Sequence, residues 1–328
     1  MIQKNFDFSP QKKTKGKFKF IDLFAGIGGF RIALEKFGGE CVFSSEIDKN
    51  AKRNYEINFN EEPFGDIKKI DINKIPSHDI LCAGFPCQPF SLAGYRKGFS
   101  DTRGTLFFDI EKIVKKKKPK CVLLENVKGL INHDNGNTFK TILLKLSKLG
   151  YNVFYKILNS SDFGIPQNRE RIFIVCFRNK SIYFDFPKPS LKNNSLKKIL
   201  DKKKSLSPSG ISKIAVRHVK KHFENYKKKA GKKFDQPVLI TEIRPSRCSI
   251  RADGISPCLT AKMGTGGNNV PYIINYKRVL SIRECLRLQG FPETFEMTGS
   301  KSQNYKQIGN SIAIPVVEAI TKKILENL

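Results

Sequence analysis

The 328-residue chain carries 60 Lys and Arg against 30 Asp and Glu, a formal net charge of +30. That length holds one large or two modest cores. No long apolar segment, lipidation signal or strongly amphipathic basic helix is legible that would seat it on a membrane.

Such a charge fits a solvated, lysine-biased surface or a polyanionic partner, because a strong positive field concentrates phosphate ligands. Residues 1–17 form a polar, lysine-rich tail with no apolar run, so secretion is not expected. Phe18 to Phe24 then reads as a strand, followed by a glycine turn and a helix through Leu34. Cys41 to Ser45 is a second strand, ending at Glu46. Asp79 to Phe85 and Cys121 to Leu124 are two more, separated by a helix around Leu106 to Val114. Asn152 to Leu158 and Arg171 to Phe177 are placed to pair antiparallel. This alternation predicts an α/β fold with a doubly wound, mostly parallel sheet.

After Phe177 the texture changes. From Lys188 to Lys233, sixteen Lys or Arg face only Asp201 and Glu224, with Pro, Ser and Gly between short apolar pieces. A glycine-rich stretch, Gly264 to Asn269, follows, and residues 179–277 read as a second, smaller, basic domain. Compact patterning resumes at Val279, where Ser281 and Glu284 have capping-box spacing. A last helix, from about Pro315 to Leu328, has proline in its first turn. The 8 Cys lack paired spacing and the 4 His are scattered, which argues against disulfides or a metal site and fits a reducing cytoplasm.

Three pieces of chemistry sit at strand ends, where open α/β sheets bind ligands. The turn Phe24-Ala25-Gly26-Ile27-Gly28-Gly29 lets backbone approach a ligand closely. Glu46, about twenty residues on, can accept from ribose hydroxyls. The turn lacks the third spaced glycine of a dinucleotide fingerprint, which favours S-adenosyl-L-methionine, a cofactor without a pyrophosphate. Asp66 suits either an adenine amino group or a turn cap. Cys87 lies between Pro86 and Pro89 at the end of an apolar strand, before a polar, basic loop that suits a lid over nucleic acid. A free thiol with a pKa of about 8.5 needs help to act as a nucleophile. The other seven cysteines read as core. Glu125 ends its apolar strand, where burial would raise its pKa and let it donate a proton near neutrality. Arg169 and Arg171 share a strand face by alternation and suit a phosphate or a base carbonyl; the alternative is ordinary ion pairing with Glu170. Turn, thiol and acid in this order suggest covalent methyl transfer to a pyrimidine.

The ordered set Asp22-Leu23-Phe24-Ala25-Gly26-Ile27-Gly28-Gly29, Gly84-Phe85-Pro86-Cys87-Gln88, Glu125-Asn126-Val127, Gln167-Asn168-Arg169-Glu170-Arg171, Arg283-Glu284-Cys285-x-Arg287-x-Gln289-Gly290 and Gln307-Ile308-Gly309-Asn310-Ser311 resembles the DNA cytosine-5 methyltransferases. It looks like their bacterial restriction–modification type, over about residues 18–178 and 278–328. The resemblance implies a class I adenosylmethionine-dependent methyltransferase fold. Cys87 would attack C6 of cytosine, and Glu125 would hydrogen-bond and protonate around N3. Arg169 and Arg171 would hold the base carbonyl, the backbone phosphate and the other catalytic groups. Adenosylmethionine would contact Phe24, Gly26, Ile27, Gly28, Glu46, Ile47, Asp66, Ile67, Pro86, Leu106, Asn310 and Ser311.

Attack on a ring face requires the base to be flipped out of the duplex, and phosphate contacts to a basic cleft weaken with salt. Asn310 and Ser311 would return the last segment to the first domain, making 179–277 an inserted target recognition domain. Candidates for DNA contact are Ser91, Arg96, Lys97, Arg247, Arg251, Thr260, Gly264, Thr265, Gly266 and Gly267, against the alternative that most lysines are merely solvated. A tRNA cytosine methyltransferase on the same fold is the main rival, disfavoured by the basic insertion of about a hundred residues. A nicotinamide dehydrogenase explains the glycine turn but not Cys87, Glu125 and the arginines together, and every position the chemistry needs is present, which disfavours an inactive binder. The expectation is a cytoplasmic monomer acting on double-stranded DNA and nucleoid-associated when bound, with no metal. A restriction endonuclease would be a separate genetic partner, since the short ends leave no room for a nuclease domain.

Overall fold

Six strands share one sheet in the computed structural model, which describes residues 16–86, 106–190, 195–202, 204–231, 234 and 236–328. They are β1 (Phe18–Leu23), β2 (Gly39–Ser45), β3 (Ile80–Gly84), β4 (Cys121–Val127), β5 (Asn152–Asn159) and β6 (Glu170–Phe177), in the order β2-β1-β3-β4-β6-β5. The first four pair in parallel, and β6 runs antiparallel to both β4 and β5. Helices α1 (Gly29–Glu35), α2 (Lys49–Phe59), α3 (Leu106–Lys117) and α4 (Asn137–Lys148) occupy the connections.

Period-two alternation divides the sheet between two cores. Phe20, Ile80, Cys82, Leu123 and Val175 face one, with Phe30 and Leu34 of α1. Leu23, Leu81, Ala83, Leu124 and Ile174 face the other, with Phe107 and Ile110 of α3 and Ile142 and Leu146 of α4. Because β2 and β3 lie on opposite sides of β1, the strand order reverses there, and a crevice opens beyond the strands' carboxyl ends. β4 runs on to Val127, so Glu125 sits inside the ladder, opposite Gly84 and Phe173, and not at its end. Asp79 falls outside β3: it accepts from Lys19 N at 2.9 Å and pairs with Lys120 at 2.9 Å.

A second sheet, β10-β9-β7-β8, is antiparallel and built from β7 (Leu239–Thr241), β8 (Ser249–Arg251), β9 (Tyr272–Ile273) and β10 (Arg278–Val279). It therefore extends past the expected boundary at 277. Phe184, Leu196 and Leu200, expected in the second unit, pack into the main core instead. The lysine-rich run holds an 18-residue helix, α5 (Lys213–Ala230), with Ala215 and Val219 packed among Ile240, Ile243 and Tyr272. Ser212 Oγ caps it by accepting from Ala215 N at 3.1 Å, and Gly231 ends it at φ 61°. This corrects the expectation that the chain has no amphipathic basic helix. The buried stripe is thin, only Ala215 and Val219 being fully covered, so a hydrophobicity pattern dominated by lysine conceals it.

The chain closes with α6 (Ile282–Arg287), α7 (Lys301–Asn310) and α8 (Ile314–Leu325). The capping box at α6 forms as predicted, Glu284 N donating to Ser281 Oγ and Ser281 N to Glu284 Oε2. α8 packs on α1, burying Val317, Ile320 and Ile324 in the core that holds Phe30 and Leu34. The C-terminal segment thus returns to the first strands. Among the described residues no helix is long and apolar enough to cross a membrane.

Candidate active site

Beyond β1 the chain turns at Phe24, whose φ of 58° places a bulky residue in the left-handed region; Gly26 (φ 56°) and Gly28 (φ 85°) follow. Strain of this kind persists where surrounding structure enforces it. The next strand fastens the turn: Ala25 N donates to Ser45 O at 2.9 Å, and the Glu46 carboxylate accepts from Gly26 N and Asp48 N, both at 2.8 Å. Each carboxylate oxygen keeps capacity for a further donor.

A cavity of about 370 Å³ opens between this turn, the end of β3, β4, β6 and α7. Of the residues proposed from sequence to contact a cofactor, Phe24, Gly26, Glu46, Ile47, Pro86, Leu106, Asn310 and Ser311 line it. Ile27, Gly28, Asp66 and Ile67 are not among its walls. Ile27 and Ile67 are buried in the two cores. Gly28 packs under α2, where a Cβ would lie 2.2 Å from the Phe59 ring. Asp66 caps a turn with Oδ1, accepting from Lys68 N at 3.0 Å. The walls also include Asp48 and Lys306, 3.4 Å apart, which sequence reasoning missed. Their spacing held a faint signal: Asp48 follows Glu46 by two positions, and Lys306 precedes Asn310 by one helical turn.

Glu125 is buried on the cavity wall, its Oε1 3.1 Å from Arg171 Nε. Burial raises its carboxyl above the ordinary value, against the opposing pull of Arg171 and Arg169. Beside it, Asn126 Nδ2 donates to Phe85 O at 2.8 Å, pinning the end of β3 just before Pro86. Cys87 lies outside the described residues, as do Ser91, Arg96 and Lys97.

Arg169 and Arg171 both reach the cavity, but they are used differently. Arg171 holds Glu125, while Glu170 pairs with Lys128 at 3.1 Å. Arg169, 2% exposed, donates from Nη1 to Leu259 O at 2.7 Å and from Nη2 to the carbonyls of Gly309 and Ser311. Burial, reinforced by Arg171, lowers its pKa. Gln167 completes the joint, accepting from Leu259 N at 2.9 Å and donating to Leu288 O at 2.6 Å.

Of the candidate DNA contacts that are described, Arg247 is exposed and Arg251 pairs with Asp253. Thr260 and Gly264 press their backbones on α7: a Cβ on Gly309 would lie 2.2 Å from Thr260 C, and one on Gly264 would lie 2.5 Å from Ser302 O. Thr265, Gly266 and Gly267 form the exposed tip of the loop. Among the described residues no His, Cys, Asp and Glu group could hold a metal ion.

A doubly wound sheet, a crevice at its switch point fit for a nucleoside cofactor, and a buried acid on the crevice wall define an enzyme of the class I methyltransferase fold. The sequence profile of the C-5 cytosine-specific DNA methylase family matches residues 18–326. The type II methyltransferase M.HaeII of Haemophilus aegyptius is 48% identical over 312 residues, covering 95% of this chain and 94% of its own. M.HhaI of Haemophilus parahaemolyticus is 45% identical over 319 residues, covering 94% and 95%. Among solved structures, S. pombe Dnmt2 methyltransferase aligns with a TM-score of 0.70 at 22% identity, covering 95% of this chain and 100% of its own. The Entamoeba histolytica methyltransferase EhMeth aligns at 0.69 and 20%, covering 94% and 98%; at such identities the two show a shared fold alone. The chain belongs to the C-5 cytosine-specific DNA methylase family and is a DNA cytosine-5 methyltransferase. The match runs through the basic insertion as well as the two stretches that carried the resemblance, and it favours DNA over the tRNA rival.

Proposed function

We propose that the protein transfers the methyl group of S-adenosyl-L-methionine to C5 of a cytosine flipped out of a short, specific duplex DNA sequence, through a covalent bond from Cys87 Sγ to C6. The observation that carries this reading is Glu125: a buried carboxyl with a raised pKa, held by Arg171, in the same cavity as the glycine turn and Pro86. The residues fit the cofactor. Gly26 leaves open space where a Cβ would stand, Glu46 keeps acceptor capacity for a ribose diol, and Phe24, Ile47, Pro86 and Leu106 offer apolar walls to a purine. Bound there, adenosylmethionine would supply an electrophilic methyl group on a sulfonium.

The chain's own residues do the rest. Cys87 adds as the thiolate to C6, and the Glu125 proton at N3 takes up the charge this pushes into the ring. Arg171 keeps Glu125 oriented, and Asn126 steadies the strand end that leads to Cys87. Arg169 acts as a positioning residue between the recognition segment and the Asn310-Ser311 segment. Once C5 carries the methyl, loss of its proton to solvent, expulsion of Cys87 as the thiolate and return of the N3 proton to Glu125 restore the ring and the acid. The basic insertion that carries α5 and the β7–β10 sheet serves as the target recognition domain, with Arg247 and the Thr265–Gly267 tip among its DNA-facing parts. The protein works as a monomer in the bacterial cytoplasm, protecting host DNA from a cognate restriction endonuclease.

Base-resolution mapping of 5-methylcytosine on unmethylated plasmid incubated with protein and adenosylmethionine tests this. Methylation at one short recurring sequence, lost in Cys87→Ala, is expected. A plasmid left unmodified by folded, cofactor-binding protein, with label passing instead to tRNA, would overturn it.

A further inference from the structure

Helix α5 buries one face and leaves the opposite face to cations. Ala215 and Val219 point into the small core, while Lys213, Arg217, Lys220, Lys221, Lys227 and Lys228 are exposed. At 3.6 residues per turn these six fall within an arc of about 120°. Glu224 shares the arc and pairs with Lys227 at 2.7 Å. Among the described residues, the other five have no carboxylate within ion-pair distance. Like charges three and four apart weaken a helix by a few tenths of a kcal/mol per pair, so the stripe opposes the local fold instead of serving it.

The dimensions suit duplex DNA. Lys213 to Lys228 spans about 22 Å along the axis, and one strand of B-DNA advances about 3.4 Å per phosphate, so the stripe matches roughly six base pairs. The helix is also tied to the glycine-rich loop. His222 Nε2 hydrogen-bonds Arg244 O at 2.9 Å, and Arg244 Nη1 donates to Gly267 O at 2.6 Å. An anionic membrane offers the same charge, but a membrane-surface helix inserts its apolar face, and here that face is spent on Ile240, Ile243 and Tyr272.

We propose that the outer face of α5 is a second DNA-binding surface, which grips the phosphate backbone of duplex flanking the target without reading its sequence. This rests on the DNA reading of the cavity. The test compares the full-length protein with a variant carrying Lys213→Gln, Arg217→Gln, Lys220→Gln and Lys221→Gln. A control carries Lys115→Gln, Lys116→Gln, Lys118→Gln and Lys148→Gln, an equal charge change near the C-terminal ends of α3 and α4. Duplexes of about 12 and about 40 base pairs, both centred on a mapped methylation site, are titrated by anisotropy across salt.

For the long duplex, the slope of log Kobs against log salt should fall by about 3.6 in the α5 variant, at about 0.9 per lost contact, with affinity weakened at least tenfold. The short duplex and the control should change little. Should the fourfold variant fail to fold, Lys220→Ala with Lys221→Ala carries the same test with a slope change of about 2. An unchanged slope in a variant that still methylates plasmid sinks the α5 surface alone. Equal loss in variant and control reduces the effect to net charge and overturns the proposal, as does tighter binding of wild type to phosphatidylglycerol vesicles than to the long duplex. A wild type that methylates no DNA at all instead refutes the reading of the cavity.

Discussion

Asp22, in β1 beneath the glycine turn, is an acid that the fold keeps neutral. It is fully buried, and among the described residues neither carboxylate oxygen has a hydrogen bond of ordinary geometry. Burial pushes its pKa from 3.8 to about 8, with Glu46 pushing the same way and the Arg31 charge and backbone N–H pulling against it. Between those two values the native state holds a proton that the unfolded state has released, so stability falls as pH rises through the window. The slope is about 1.4 kcal/mol per pH unit, and the whole window amounts to roughly 5–6 kcal/mol. That is comparable with the net stability of a typical domain. Below the window both states are protonated and above it both are ionised, so the slope vanishes at each end. Asp22→Asn removes the ionisation at nearly constant volume. Urea unfolding of both proteins from about pH 5 to about pH 9 should show the variant gaining on wild type by about 1.4 kcal/mol per unit up to about pH 8, then levelling. A constant offset at low pH is expected from the buried amide. Parallel stability curves across the range would show that native Asp22 is ionised and refute the argument.

Glu125→Gln should slow single-turnover methyl transfer by about 10²–10⁴-fold, with adenosylmethionine binding by calorimetry unchanged. Since Glu125 works protonated and its pKa is raised, the wild-type rate should fall as pH climbs through that pKa, and the Gln variant should lose this alkaline limb. Asn126→Ala leaves Phe85 O without its partner and should cost about 1–3 kcal/mol in urea unfolding, together with a slower rate. Gly28→Ala combines a φ of 85° with a Cβ 2.2 Å from the Phe59 ring; scanning calorimetry should show a Tm several degrees lower.

The parallel strands were legible because each is a short apolar run, and the Ser281–Glu284 cap because its signal lies within four residues. Glu125 was expected at a strand end because Asn126 is polar, whereas the ladder continues through it by pairing with Ile172. Asp66 stayed ambiguous since an aspartate caps a turn and binds an amino group with the same oxygens. The left-handed φ of Phe24 carries no local mark, for aromatic residues rarely adopt it. Nor could the sequence show that Arg169 binds carbonyls: its partners Leu259, Gly309 and Ser311 lie 90, 140 and 142 residues away.

Those long-range bonds explain how a discontinuous chain makes one site. The inserted segment joins through Leu259, whose backbone N–H and C=O are taken by Gln167 and Arg169, two residues apart in the approach to β6. The same arginine grips the carbonyls of Gly309 and Ser311, so a single buried guanidinium ties the approach to β6, the Leu259 segment and the end of α7 together. Gly264 and Thr260 then lie against α7 with no room for added side-chain atoms between them. Their close packing commits the first part of the loop to holding position, and Arg244 Nη1 fastens the exposed tip by donating to Gly267 O.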